Sequence, residues 1–164
     1  MRQRRTHLAR LSRRRWLAGA LGALALPVRA QWVEPSASAA LSAPAARAIA
    51  VLLRGREPRT GRVQLEIPKL AENGLAVPLK VRVDSPMSAA DHVRTVHLIA
   101  PANPLPAVAR LHFGPHSGEA YLSTRIRLAD SQRVFAFAEM SDDSVWRADA
   151  HVVVTLGGCL DPIL

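Results

Sequence analysis

The chain contains a single cysteine, Cys159, in the stretch LGGCLDPIL, behind Gly157 and Gly158 and close to the last residue, Leu164. A thiol of ordinary pKa, about 8.5, is only a few per cent thiolate at neutral pH, yet the thiolate is a strong nucleophile and the species through which sulfur exchange runs. No acid, base or metal ligand adjoins it in sequence, so this thiol is better suited to being acted upon than to acting. A lone cysteine is by composition most often a small buried hydrophobe. Here the apolar strand pattern ends at Leu156, and two glycines then remove side chains and loosen the backbone. Residues past a last strand are mobile unless docked, and three extended residues carry the sulfur roughly 10 Å beyond the sheet. Residues 157–164 therefore read as an arm, with Gly157 and Gly158 supplying its flexibility and Cys159 its chemistry.

The other chemistry-bearing residues form no comparable constellation. Past residue 30 there are five histidines: His92, His97, His112, His116 and His151. His112 and His116 bracket the Gly-Pro turn of HFGPH, so they are not the pair on one helix face that a zinc site uses. A metal site could assemble only in three dimensions, with Met87 or Met140 as further ligands. His97 and His112 alternate with apolar residues and are expected to face solvent or to be hydrogen-bonded. Asp142 and Asp143 sit in a turn that explains them. Ser123, Ser131 and Ser141 lack the setting of a nucleophile elbow, and the glycines of GREPRTGR lack the Lys-Ser/Thr of a phosphate loop. No catalytic residue, metal ligand or cofactor is assigned, and the chain reads as a non-enzyme.

The elements that must carry the arm follow from periodicity. From Val63 onward apolar residues recur every second position, in VQLEI, VPLKVRV, VRTVHLIA, AVARLHF, EAYLSTRIRLA, VFAFAEM and WRADAHVVVTL, as half-buried strands require. AENG, DSPM, PANPLP, GPHSG, DSQR and SDDS punctuate them with turn-forming residues. Short strands in this number, with no gap long enough for a crossover helix, predict an all-β fold: an immunoglobulin-like antiparallel β-sandwich. Upstream, PAARAIAVLLRG (44–55) has Pro near its start and Gly at its end, the punctuation of a short N-terminal helix.

The formal charge of +9 invites a nucleic-acid reading, but it is concentrated at the front. Residues 1–30 hold eight Arg and no acid, leaving 14 basic and 13 acidic residues, a net of +1, in 31–164. A phosphate-binding groove has little support in so balanced a remainder, and no nucleic-acid partner is expected. The front reads instead as an export signal, with a basic segment, the apolar run WLAGALGALAL and small or apolar residues at Val28 and Ala30. Eleven apolar residues fall short of the about 20 that span a bilayer, so no permanent membrane anchor is expected. SRRRWLA (12–18) looks like a twin-arginine motif, with Trp16 where Phe is usual and Ala18 where Lys is frequent; it implies twin-arginine export machinery, the alternative is an Arg-rich ordinary secretory signal, and either implies a periplasmic location. The organisation expected is a signal peptide at 1–30, an Ala/Ser/Pro-rich linker at 31–46, a β-sandwich domain at 47–156 and the arm at 157–164.

IPKLAENGLAVPLKVRVDSPM, HFGPHSGEAYLSTRIRLADSQRVFAFAEMSDDS and VTLGGC resemble the SoxY family, the sulfur-carrier subunits of the bacterial Sox thiosulfate-oxidising system. The likeness spans about Ala48 to Cys159. It implies an immunoglobulin-like sandwich, a heterodimer with a SoxZ-like subunit, and Cys159 as the attachment site for covalent sulfur intermediates. It also implies three enzymes that act on that cysteine: a c-type cytochrome thiol-oxidising enzyme, a dimanganese sulfate-releasing hydrolase and a sulfane dehydrogenase. Gly157, Gly158 and Cys159 match the first three positions of the family's GGCGG arm, whereas Leu160 and Asp161 stand where it has glycines. A divergent carrier with matching partners, a paralogue with another sulfur donor and an altered reading frame past Cys159 are all compatible with that departure. On the residues alone, two other classes stay open: an exported β-sandwich interaction module linked through an intermolecular disulfide, and a periplasmic metal-binding protein.

Overall fold

The computed structural model describes residues 41–156. The expected signal peptide, most of the linker and the arm lie outside the described residues. Among the described residues no helix is long and apolar enough to cross a membrane.

One helix and eight strands follow in order: α1 (Ala43–Leu53), β1 (Val63–Glu66), β2 (Leu70–Ala71), β3 (Val77–Val83), β4 (Val93–Ile99), β5 (Ala107–His112), β6 (Ala120–Ile126), β7 (Gln132–Met140) and β8 (Val145–Val154). They form a three-stranded sheet, β1-β3-β6, and a five-stranded sheet, β2-β8-β7-β4-β5. All pairings are antiparallel except that of β2 with β8. Each of the seven strands read from alternation is present. The eighth, β2, is two residues long and too short to show a period.

β3 alternates buried and exposed along its whole length, and Val77, Leu79, Val81 and Val83 form one wall of the core. The opposite wall comes from Val96 and Leu98 of β4, Val134, Ala136, Ala138 and Met140 of β7, and Val152 and Val154 of β8. Leu79, Leu98, Leu128 and Met140 are fully buried, each burial stabilising the fold by about 1.5–3 kcal/mol. Two sheets sharing one apolar layer between inward-facing residues make a sandwich, the architecture expected from the sequence.

The five-stranded sheet departs from one-sided burial. β4 is buried at Thr95, His97 and Ile99 as well as at Val96 and Leu98, because α1 covers part of its outer face. Ala45 and Leu52 are the buried residues of the helix. Leu52 packs with Ile99, Phe137 and Val145, flanked by Ala48, Ile49, Leu53 and Phe135. Ser42 caps the start: its Oγ accepts from Ala45 N at 3.4 Å and donates to the Pro101 carbonyl at 2.7 Å. The helix ends in the left-handed turn of Arg54 (φ 49°) and Gly55 (φ 80°). Arg56 then donates to the carbonyls of Leu52 (2.8 Å) and Leu53 (2.9 Å) and to Glu139 Oε1 of β7 (2.8 Å), tying the helix end to the sheet.

Candidate functional site

Gly157, Gly158 and Cys159, the residues that the sequence singles out, lie outside the described residues. What is described is the ground they leave from. β8 ends at Val154, and the next two residues are bonded down: Thr155 N donates to Ala71 O at 3.1 Å, Thr155 Oγ1 to Glu72 O at 2.8 Å, and Gly74 N to Leu156 O at 2.7 Å. On the other side of β8, Ser131 Oγ accepts from Val154 N at 2.9 Å. β2 is the reason this clamp exists, since its parallel register sets Leu70 against Val153 and Ala71 against Val154. The backbone is thus anchored through Leu156, and Cys159 follows three residues later in the sequence.

The surroundings of this root are apolar and open. Leu70 is 58% exposed, Leu75 52%, Val153 44% and Leu156 67%. Leu75 sits in a single 3₁₀ turn, Gly74–Ala76, capped by Asn73, whose side chain accepts from Leu75 N at 2.8 Å. Gly74 is buried and its carbonyl accepts from Leu128 N at 2.8 Å, so the turn is held rigidly beside Leu156. Exposed apolar residues gathered at one place mark an interaction surface.

The histidines divide. His92 Nδ1 lies 3.0 Å from Ser88 O, and His112 Nδ1 lies 3.3 Å from Thr95 Oγ1; His116 and His151 are exposed. His97, expected to be solvent-facing or hydrogen-bonded, is neither: it is 8% exposed and its buried Nε2 has no hydrogen-bond partner among the described residues. The covering helix is the cause, because it closes the outer face that alternation alone leaves to solvent. Burial pushes the His97 imidazole below its ordinary pKa, against the pull of Glu139 in the other direction, with Arg110, His112 and Arg56 adding to the lowering.

Met87 and Met140 are core residues, and among the described residues no three His, Cys, Asp or Glu side chains group as a metal would require. Asp142 accepts from Ser144 N (3.0 Å) and Oγ (2.6 Å), and these bonds lower its pKa. Asp143 takes a positive φ of 64° and pairs with Arg94, which lowers its pKa likewise. Both thus have the turn-forming role expected of them.

A family model described as "Sulfur oxidation protein SoxY" matches residues 49–159, so the match runs to the cysteine itself. Among solved structures the fold is similar to the sulfur carrier protein SoxY from Chlorobium limicola f thiosulfatophilum, with 26% identity, TM-score 0.57, and 68% of this chain and 96% of that chain covered. It is also similar to the superoxide reductase (neelaredoxin) from Ignicoccus hospitalis, with 20% identity, TM-score 0.51, and 57% of this chain and 80% of that chain covered. Likeness at that identity concerns the fold alone. No curated protein matches the chain. A family match over 49–159, on a sandwich of the same architecture as a solved SoxY, establishes that this chain belongs to the SoxY family.

Proposed function

We propose that this protein is a periplasmic sulfur carrier of thiosulfate oxidation, non-catalytic itself, which holds sulfur intermediates covalently on Cys159 and presents them to partner enzymes. The observation that carries the reading is the family match extending to residue 159. The anchored root supports it: with Leu156 fixed, Gly157 and Gly158 alone separate a rigid sandwich from the thiol. Three extended residues would give the sulfur a reach of about 10 Å.

In the loading step the Cys159 thiolate and thiosulfate form an S–S bond, and two electrons leave to a c-type cytochrome enzyme. The product is a cysteine S-thiosulfonate. Hydrolysis by a dimanganese enzyme then breaks the bond between the sulfane and sulfone sulfurs: water supplies the fourth oxygen of sulfate, and Cys159 keeps a persulfide. A sulfane dehydrogenase then oxidises the outer sulfur of the persulfide to the sulfone level, with water supplying the oxygens and a cytochrome accepting the electrons, and a second hydrolysis releases sulfate and frees the thiol. A SoxZ-like subunit completes the carrier as a heterodimer. The exposed collar of Leu70, Leu75, Val153 and Leu156 is where the loading enzyme seats while it receives the arm.

Intact-mass measurement on protein from thiosulfate-grown cells tests this directly. Thiosulfonate and persulfide adducts on Cys159 are expected, and Cys159→Ser should abolish thiosulfate oxidation in a reconstituted system while leaving the sandwich folded. Free thiol or a disulfide dimer as the only species would sink the reading.

A further inference from the structure

α1 packs on the outer face of the five-stranded sheet and leaves its β5 side uncovered. Leu52 covers Ile99, Phe137 and Val145, and between the helix and β5 a cleft of about 630 Å³ stays open. Sites for organic ligands commonly measure about 300–1,000 Å³. One wall is a flank of the helix, with Arg47 and Val51 four residues apart on one side and Arg54 of the left-handed cap lining its end. The facing wall is Arg110 and His112 of β5, and the floor is Thr95, His97 and Ile99 of β4.

Two properties of this cleft point to a ligand. Its charge is uncompensated: among the described residues, no carboxylate lies within ion-pair distance of Arg47, Arg54 or Arg110. The one carboxylate that lines it, Glu139, is already held by Arg56 at 2.8 Å. Its floor is also unsatisfied. Nε2 of His97 is buried without a partner, and Glu139 Oε2, at 4.0 Å, is beyond hydrogen-bond range. An unpaired buried polar atom is uncommon in a native structure and leaves the His97 ring under this floor with unused hydrogen-bonding capacity.

The chain's own cysteine is not that ligand. In register, Thr95 sits against His112 and Glu139, and Glu139 against Val145 at the start of β8. The arm leaves after the other end of β8, beyond Val154. Nine residues of strand at about 3.4 Å make roughly 30 Å, against the about 10 Å that three residues past Leu156 can cover.

We infer that the cleft between α1 and β5 is a binding site for a small organic anion. The carboxylate or sulfonate head takes charge-assisted hydrogen bonds from Arg47, Arg54 and Arg110. The apolar body lies on Ala48, Val51 and Ile99, above the His97 ring that lines the floor. The site is separate from the sulfur-carrying arm and does not depend on it.

The test is titration of the full-length protein with benzenesulfonate, sulfate and benzyl alcohol in separate arms, following the histidine ring resonances by NMR at pH 7. Benzenesulfonate should shift the His97 and His112 rings saturably, with a Kd on the order of 1 mM or tighter, and bind about tenfold better than either control. Arg110→Gln and Arg47→Gln should each weaken it about tenfold, the loss of one charge-assisted bond, while Arg125→Gln on the other sheet leaves it unchanged. Should Arg110→Gln lower the melting temperature, Arg47→Gln on the exposed helix flank decides. The inference is overturned if the His97 ring does not respond, if sulfate or benzyl alcohol binds as well as benzenesulfonate, or if neither arginine variant weakens binding.

Discussion

His97 is uncharged in the folded protein at neutral pH, and this makes it a source of acid sensitivity. Burial holds its pKa below the ordinary 6.5, with Glu139 opposing and Arg110, His112 and Arg56 reinforcing the shift. Since the folded value lies under the unfolded one, the unfolded chain binds more protons once the pH drops below about 6.5. Stability therefore falls as pH is lowered through that value and levels off below the folded pKa; above it the residue contributes no pH dependence. The expectation is that unfolding free energy from urea titration decreases between pH 7 and pH 5 in the wild type, and that His97→Gln shows a shallower decrease. The depressed carboxylates Asp142 and Asp143 titrate below this window and do not blur it. Equal slopes in the two proteins would show that the His97 environment is not as described. The sequence signalled only half of this: VRTVHLIA carries apolar residues at both parities, as a strand buried on both faces does, but alternation around His97 itself reads as exposure.

At the scale of elements, α1 is fastened more by its end than by its length. Eleven residues are too few to hold a helix in water without tertiary packing. Leu52 supplies the apolar contact, and Arg56 satisfies two carbonyls at the C-terminus while it binds Glu139 and, at 3.0 Å, the Asp143 carbonyl. Arg56→Ala removes these together and leaves Glu139 half-buried without its cation, so a loss of about 2–3 kcal/mol is expected in denaturant unfolding. Arg54→Ala, two residues earlier, is exposed and unpaired among the described residues, and should change stability by about 0.5 kcal/mol or less. A similar cost for both variants would mean that the helix end is not fastened this way. The helix itself was legible from Pro44 and Gly55, and the seven longer strands from their period. β2 was not, because two residues show no alternation and its partner β8 lies far along the chain; its role, holding Thr155 through the Ala71 carbonyl, is set by tertiary pairing.

At the scale of the whole molecule, the cleft beside α1 and the bonded-down segment at Thr155 and Leu156 lie at opposite ends of β8. That separation follows from topology, since β8 starts at Val145 in the row of Glu139 and ends at Val154 beside β2. The expected arm, residues 157–164, rests on two glycines and a lone cysteine, which are local sequence signals, and it lies outside the described residues. The collar around its root was not legible, for Leu70, Leu75, Val153 and Leu156 come from three segments that only the fold assembles. If the loading enzyme seats on that collar, a charge there should interfere with sulfur loading and not with folding. Leu70→Asp places a carboxylate on a side chain that is 58% exposed, so a stability change under about 1 kcal/mol is expected. Desolvating the same carboxylate in a seated complex costs more, and a drop of about tenfold in the rate of thiosulfate-dependent mass gain on Cys159 follows. Leu105→Asp, on a loop between β4 and β5 and 81% exposed, serves as the control that leaves loading intact. Equal loading rates for Leu70→Asp and wild type would move the contact surface off the collar, whereas a loss shared by Leu105→Asp would point to charge in general rather than to a seat at the root of the arm.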